Sequence, residues 1–178
     1  MRTPPPASSA LAPLVEASDL ARWSREQREA GRTVVFTNGC FDLLHGGHVS
    51  SLLQAAELGD VLLVAINDDA SVRRLKGKGR PVQDQETRAL VLRALRAVSA
   101  VTIFADLTSL PTIESVRPDV LAKGGEYSEE EIVGAREVLS WGGRVARLSM
   151  VPGAATTQLV ERMRGKPREG SSPGKEDR

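Results

Sequence analysis

The chain has 178 residues, of which 40% are hydrophobic and 26% charged, an ordinary composition for a globular protein with one α/β domain. Its 24 lysines and arginines are balanced by 23 aspartates and glutamates, and only 3% of its residues are aromatic. This argues against a nucleic-acid binder, because such proteins use an excess of positive charge and aromatic stacking residues.

Cysteine content and apolar run lengths predict a cytoplasmic protein that does not enter a membrane. Cys40 is the only cysteine, which excludes an internal disulfide and fits a reducing compartment. No apolar run approaches the roughly 18–20 residues that a membrane span needs. Residues 1–12 and 165–178 are rich in Pro, Ala, Gly and Ser, and they predict a disordered leader and tail around one domain at 13–164.

The domain begins with a predicted helix from Ala17 to Glu29, followed by alternating strands and helices. The predicted strands are short apolar runs at Val34–Thr37, Val61–Ile66, Ala100–Phe104, Val120–Ala122 and Arg144–Leu148. The predicted helices lie between and after them, at Val49–Leu58, Gln85–Ala97, Leu110–Val116, Glu129–Trp141 and from Thr156 or Thr157 to Met163. This alternation predicts a single α/β domain with a Rossmann-like, doubly wound parallel sheet of about five strands. Ligands of such folds bind at the carboxyl ends of the strands, so we expect the chemistry in the loops after Thr37, Ile66, Ala122 and Leu148.

The loop after the first strand contains both histidines of the chain, His45 and His48, at the expected start of a helix. Their spacing of three allows both side chains to share one helical face. Gly39 permits a tight turn, Gly47 would let a phosphate approach the backbone, and a helix N-terminus favours anions. The pattern favours phosphate binding over two structural histidines. A metal site would find no nearby third ligand beyond Asp42.

The run from Gly39 to His48, GCFDLLHGGH, resembles the H-x-G-H signature of the cytidylyltransferase-like nucleotidyltransferase superfamily. The resemblance implies that His45 and His48 bind a triphosphate and stabilise charge on the transferring and leaving phosphates. It further implies a nucleotide-binding role for the rest of this loop, namely Asn38, Gly39, Cys40, Phe41 and Gly47, and a substrate contact from Asp42.

The segment after the second strand, residues 67–82, is either a solvated basic face with a flexible loop or a mobile arm that contacts phosphate. Lys76 and Lys78 would then act as point charges. The runs Leu75-Lys76-Gly77 and Arg80-Pro81-Val82, with Glu86-x-Arg88, resemble bacterial heptose-phosphate adenylyltransferases. That likeness implies a catalytic role for Lys76 and substrate contacts from Asp69, Lys76, Lys78 and Arg88. The alternative for Arg88 is an ion pair with a carboxylate.

Two later segments complete the expected nucleotide site. Lys123-Gly124-Gly125-Glu126-Tyr127 resembles the same adenylyltransferases, which implies that Lys123 and Gly124 bind the nucleotide. Pro152-Gly153-Ala154-Ala155-Thr156-Thr157 precedes the last predicted helix, so Gly153, Thr156 and Thr157 are expected at the phosphates. Ala155 stands where the family often has serine.

The resemblance implies transfer of AMP from ATP to a sugar 1-phosphate, D-glycero-β-D-manno-heptose 1-phosphate, with release of pyrophosphate. ATP is then a substrate, Mg²⁺ is carried on its phosphates, and a homodimer is common among relatives. Cytidylyl transfer to glycerol 3-phosphate, a non-catalytic nucleotide-binding module and a transfer-RNA synthetase fragment are the alternatives. The segment from Lys123 to Tyr127 favours the sugar phosphate, and the neutral charge argues against the synthetase.

Overall fold

A five-stranded parallel sheet organises the computed structural model, which describes residues 11–125 and 131–149. In chain order the strands β1 to β5 are Val34–Gly39, Val61–Asn67, Ala100–Phe104, Val120–Gly124 and Arg144–Leu148. The helices α1 to α6 are Leu20–Glu29, Gly46–Ala56, Asp69–Lys76, Gln85–Arg93, Leu110–Val116 and Ala135–Ser140. A single 3₁₀ turn, Ala17–Asp19, precedes α1.

The strand order β3-β2-β1-β4-β5 confirms the predicted Rossmann-like, doubly wound fold. All four strand pairings are parallel. Val35 of β1 lies between Leu62 of β2 and Val120 of β4. The chain therefore reverses its winding direction between β1 and β4, and folds of this kind bind ligands in the crevice at such a reversal.

Apolar residues on both faces of each strand explain why helices cover the sheet on two sides. Val34 and Phe36 of β1 pack into a core with residues of α1, α5 and α6, whereas Val35 packs on the opposite side with residues of α2 and α4. Successive side chains of a strand point to opposite faces, so one short apolar run supplies both cores. The carboxyl ends of the strands remain free to build a site.

The structure corrects three of the expected boundaries. Residues 69–76 form helix α3 rather than part of a mobile arm, because the Asp68 carboxylate accepts a hydrogen bond from the N–H of Ser71 and caps the helix. Helix α6 begins at Ala135 rather than at residue 129, after Gly134 with a φ of +86°. Ala12, expected in the disordered leader, exchanges hydrogen bonds with Arg93.

The rest of the predicted leader, the tail and the last predicted helix lie outside the described residues. Within residues 11–125 and 131–149, no helix combines the length and apolar composition needed to cross a bilayer.

Candidate active site

A cavity of about 590 Å³ opens at the carboxyl ends of the strands, as the fold predicts. Its lining includes the loop after β1, Asn67 at the end of β2 and Lys123 near the end of β4. It also includes Leu107, Thr108 and Ser109, which follow β3. The sequence interpretation missed this last segment, although the end of β3 lies at the same sheet edge as the other three.

His45 occupies the N-cap position of α2, and its ring is hydrogen-bonded to the backbone of the helix. Its Nδ1 accepts from the N–H of Gly47 at 3.1 Å and from that of His48 at 3.4 Å. A neutral imidazole has one acceptor and one donor nitrogen, so Nε2 of His45 carries the proton. The N–H of Gly47 is thereby used within the protein, and the approach of a phosphate to the backbone there stays a prediction.

The two imidazole rings stack on each other, and His48 is among the residues that line the cavity whereas His45 is not. Their centroids are 3.8 Å apart with an interplanar angle of 21°, and Phe41 contacts the other side of His48 with a centroid distance of 5.2 Å. Nδ1 of His48 is buried and has no hydrogen-bond partner among the described residues. A buried polar atom without a partner is uncommon in a native protein and is typical of a functional group.

Burial favours the neutral form of both histidines. It lowers the pKa of His45, and it lowers the pKa of His48 to about 4, with a further lowering from His45 and a smaller opposing effect of Asp42. Neutral imidazoles can offer an N–H to a phosphate oxygen without carrying a full charge themselves. The positive charge of the site has to come from lysine and arginine.

Lysine side chains reach this cavity from two elements. Nζ of Lys123 donates to the backbone oxygen of Asn38 at 3.2 Å and to its Oδ1 at 3.0 Å, and burial lowers the pKa of Lys123. Lys76 lines the cavity from the last residue of α3, whereas Lys78 is exposed and lies outside the lining. Of the two lysines expected at a phosphate, the structure brings only Lys76 to the site.

The Asp42 side chain is fully buried and turned toward protein donors. Its carboxylate accepts from Nε of Arg80 at 2.6 Å and from the backbone N–H groups of Val82 and Gln83. Burial by itself would raise the pKa of Asp42, but these hydrogen bonds outweigh it and hold the pKa below its usual value. A substrate contact from Asp42 stays a prediction: the residue lines the cavity, but a buried charge needs fixed partners, and the carboxylate finds them here in Arg80, Val82 and Gln83.

The Arg88 side chain is also fully buried and joins three segments of the site. Its Nε donates to the Gln83 oxygen, Nη1 to the Cys40 oxygen at 2.7 Å, and Nη2 to Oδ1 of Asp69 at 2.8 Å. The ion pair with a carboxylate, the alternative left open by the sequence, is the arrangement observed. A direct substrate contact from Arg88 stays a prediction, and the enclosure of its guanidinium by protein acceptors argues against it.

The loop that carries these groups has an unusual backbone. Phe41 and Leu43 have φ values of +46° and +52°, a region that residues other than glycine rarely adopt. A Cβ on Gly39 would lie 3.2 Å from the Phe41 ring, so a larger residue would disturb the ring that contacts His48. Sγ of Cys40 lies 3.8 Å from Oδ1 of Asn67, and burial raises the pKa of this thiol.

The described residues contain no group of three or more His, Cys, Asp or Glu side chains placed to hold a metal ion. Asp42, the one extra ligand considered for a metal beside the histidine pair, directs its carboxylate at Arg80 instead. Gly153, Thr156 and Thr157, expected at the nucleotide phosphates, lie outside the described residues, so their role stays a prediction.

Comparison with known proteins gives three kinds of similarity. The cytidylyltransferase-like family matches residues 36–160 of the chain. The bifunctional protein HldE of Koribacter versatilis (strain Ellin345) is 53% identical over 143 residues, which are 80% of this chain and 29% of that protein. HldE of Gluconobacter oxydans (strain 621H) is 48% identical over 163 residues, 91% of this chain and 33% of that protein. The chain thus spans about a third of the length of these curated relatives.

A solved structure resembles the fold as well. It is the lipopolysaccharide core biosynthesis protein from Thermoplasma volcanium GSS1, with a TM-score of 0.57 and 25% identity. The match covers 68% of this chain and 98% of that one.

Proposed function

This chain belongs to the cytidylyltransferase-like family of nucleotidyltransferases, and we propose that it transfers AMP from ATP to a sugar 1-phosphate with release of pyrophosphate. The observation that carries the proposal is the stacked pair of neutral histidines at the start of α2. His48 of this pair opens on a cavity that is also lined by Lys76 and Lys123. Such a set of donors and cations suits two phosphorylated substrates brought together.

The reaction would need no general base from the protein. A phosphate monoester has a second pKa of about 6, so the acceptor is largely a dianion at neutral pH and is already a nucleophile. One of its oxygens forms a bond to the α-phosphorus of ATP, while the bond from that phosphorus to the bridging oxygen breaks and pyrophosphate leaves with the electron pair. Mg²⁺ would arrive as part of the substrate, MgATP, which suits a site without a carboxylate cluster among the described residues.

The protein would act by positioning the two anions and stabilising charge. Nε2 of His45 carries the ring proton, because Nδ1 accepts hydrogen bonds from the helix backbone, so Nε2–H can donate a hydrogen bond to a phosphate oxygen. His48 would donate beside it, and Lys76 and Lys123 would supply positive charge. Removing one such preorganised donor typically costs about 10²–10³ in rate.

The cavity of about 590 Å³ is lined from both sides of β1, which would let the two substrates bind next to each other. We place the triphosphate at the crevice between β1 and β4, near the histidines and Lys123, because the winding direction reverses there. The acceptor would then lie toward β2 and β3, where Asn67, Thr108 and Ser109 line the cavity. Amide and hydroxyl groups of this kind suit the hydroxyls of a sugar.

The choice of D-glycero-β-D-manno-heptose 1-phosphate as acceptor is supported by the Lys123-Gly124-Gly125-Glu126-Tyr127 segment, with its likeness to heptose-phosphate adenylyltransferases. The likeness to the HldE proteins and to a lipopolysaccharide core biosynthesis protein also supports a sugar acceptor. ADP-heptose would be the product.

A substrate panel tests the proposal. The purified chain is incubated with ATP or CTP and with heptose 1-phosphate or glycerol 3-phosphate, and pyrophosphate release is measured. We expect the highest kcat/KM for ATP with the heptose phosphate. A preference for CTP and glycerol 3-phosphate would contradict the proposal and support the cytidylyltransferase alternative. Tight ATP binding without pyrophosphate release from any acceptor would indicate a non-catalytic module.

A further inference from the structure

Arg80 lines the same cavity as His48 and Lys76, although the sequence pattern around it assigned it no role of its own. Its side chain is 15% exposed, and its Nε donates to Oδ2 of the fully buried Asp42 at 2.6 Å. Among the described residues this is its one hydrogen-bonded or ionic contact, so Nη1 and Nη2 have no protein acceptor there. Arg80 therefore differs from Arg88, whose guanidinium is wholly used inside the protein.

The position of Arg80 is set by the strap, which we define as residues 80–83. Asp42 accepts hydrogen bonds from the strap through the N–H groups of Val82 and Gln83. Arg88 donates to the Gln83 oxygen and to the Cys40 oxygen, which ties the strap to the loop after β1. The Arg80 side chain is thus held at one edge before any ligand arrives, which reduces the ordering cost of binding.

The part of the Arg80 guanidinium that carries Nη1 and Nη2 is chemically suited to bind a phosphate. A guanidinium is planar and always charged, and its donors match pairs of phosphate oxygens. Two nearby carboxylates already have cationic partners, since Asp42 accepts from Arg80 itself and Asp69 accepts from Arg88, and the other carboxylate in the cavity lining is Glu131. Lys76 lines the same cavity and adds a second cation without a carboxylate to pair with in the described residues.

The strap follows β2 and α3 in the chain, and β2 lies on the side of β1 away from β4. We propose that Arg80 is a further substrate-contacting residue that binds the phosphate of the acceptor through Nη1 and Nη2, with Asp42 as its positioning residue. This inference rests on the proposed function for the identity of the acceptor. The triphosphate is the other ligand that could supply phosphate oxygens to Arg80. We assign it to the β1–β4 side, and separate KM values for ATP and for the acceptor distinguish the two ligands.

Arg80→Gln removes the charge and the fork at the site, and Arg73→Gln is a matched control on exposed α3 surface, outside the cavity lining. Steady-state pyrophosphate release is measured with each substrate varied while the other is saturating. We expect Arg80→Gln to raise the KM for the sugar phosphate about ten- to a hundredfold, the usual loss for charge-assisted hydrogen bonds. The KM of Arg80→Gln for ATP should stay within about twofold of the wild-type value. For Arg73→Gln, the KM for ATP and the KM for the sugar phosphate should both stay within about twofold of the wild-type values.

A purely structural Arg80 would give a different pattern. Loss of its bond to Asp42 would loosen the strap and the loop after β1 together, so both KM values would rise and the melting temperature would fall. That result would overturn the inference, as would a selective rise in the KM for ATP or unchanged constants. Arg80→Lys adds a check: one ammonium cannot reach Asp42 and a phosphate with the same fork, so we expect only partial recovery.

A binding measurement separates failure of this inference from failure of the proposed function. If no acceptor yields pyrophosphate with the wild-type chain, the proposed function fails, and Arg80 is then tested with inorganic phosphate by titration calorimetry. We expect the wild type and Arg73→Gln to bind phosphate at least about tenfold more tightly than Arg80→Gln. Equal binding by all three, or no binding by the wild type, would overturn the assignment.

Discussion

Replacing Arg88 with methionine should destabilise the protein strongly, because this side chain is a structural centre of the site. The Arg88 side chain is 0% exposed and donates to Gln83, Cys40 and Asp69. Methionine fills similar space but offers no donor. Two backbone oxygens and one carboxylate would lose their partner at once.

The expected cost follows from the burial of those acceptors. Removing one partner of a buried ion pair typically costs about 3–5 kcal/mol, since a charge is left without compensation. Asp69 keeps a side-chain exposure of 24%, so water can solvate part of its charge. We therefore expect the lower end, about 3 kcal/mol in the free energy of unfolding. For a chain of this size that corresponds to a fall of roughly 6–12 °C in melting temperature.

Thermal unfolding followed by circular dichroism measures this change, with Arg25→Met as the matched control. Arg25 forms an exposed pair with Glu29 in α1, at 3.8 Å, and such pairs contribute about 0–1 kcal/mol. A melting temperature for Arg88→Met equal to that of the control, together with a lost pyrophosphate-release activity, would refute the reasoning. That result would support the direct substrate contact that the sequence suggests for Arg88.

Further expectations concern the histidine pair and one close glycine contact. His48→Ala or His45→Ala should keep a folded far-UV spectrum yet lower kcat by at least about a hundredfold, and near-normal turnover would remove their role. The pKa of His48 is about 4 in the folded chain against 6.5 when unfolded, so stability present above pH 6.5 is lost as the pH falls toward 4. Urea midpoints measured as a function of pH should record that loss. A His48→Gln variant whose urea midpoint changes with pH as steeply as that of the wild type would contradict this expectation. Gly59→Ala should cost about 1–3 kcal/mol, because the new Cβ would lie 2.7 Å from Cγ2 of Val35. Gly46→Ala, with nothing within 4 Å of the added Cβ, should not lower the urea midpoint.

Much of the fold and the family could be predicted from local patterns. Short apolar runs separated by helical spacing indicated parallel strands covered on both faces, and the observed strand order confirms this. The run from Gly39 to His48 indicated the cytidylyltransferase-like family, which the family match confirms. Helix α3 was missed because its start depends on one cap from Asp68 and its sequence is strongly charged. The cytoplasmic location and the homodimer stay predictions.

The placement of the histidine pair after β1 and of Lys123 near the end of β4 follows from sequence order, because parallel strands bring their carboxyl ends to one edge whatever the details of packing. The partners of the charged residues do not follow from it. Asp42 meets Arg80 and Arg88 meets Asp69 across 38 and 19 positions of the chain. Whether a charge faces a ligand or is buried against another charge depends on how far water is excluded around it, and only the packed loops set that exclusion. The tertiary structure therefore decided that Asp42 and Arg88 support the site and that Arg80 lines it.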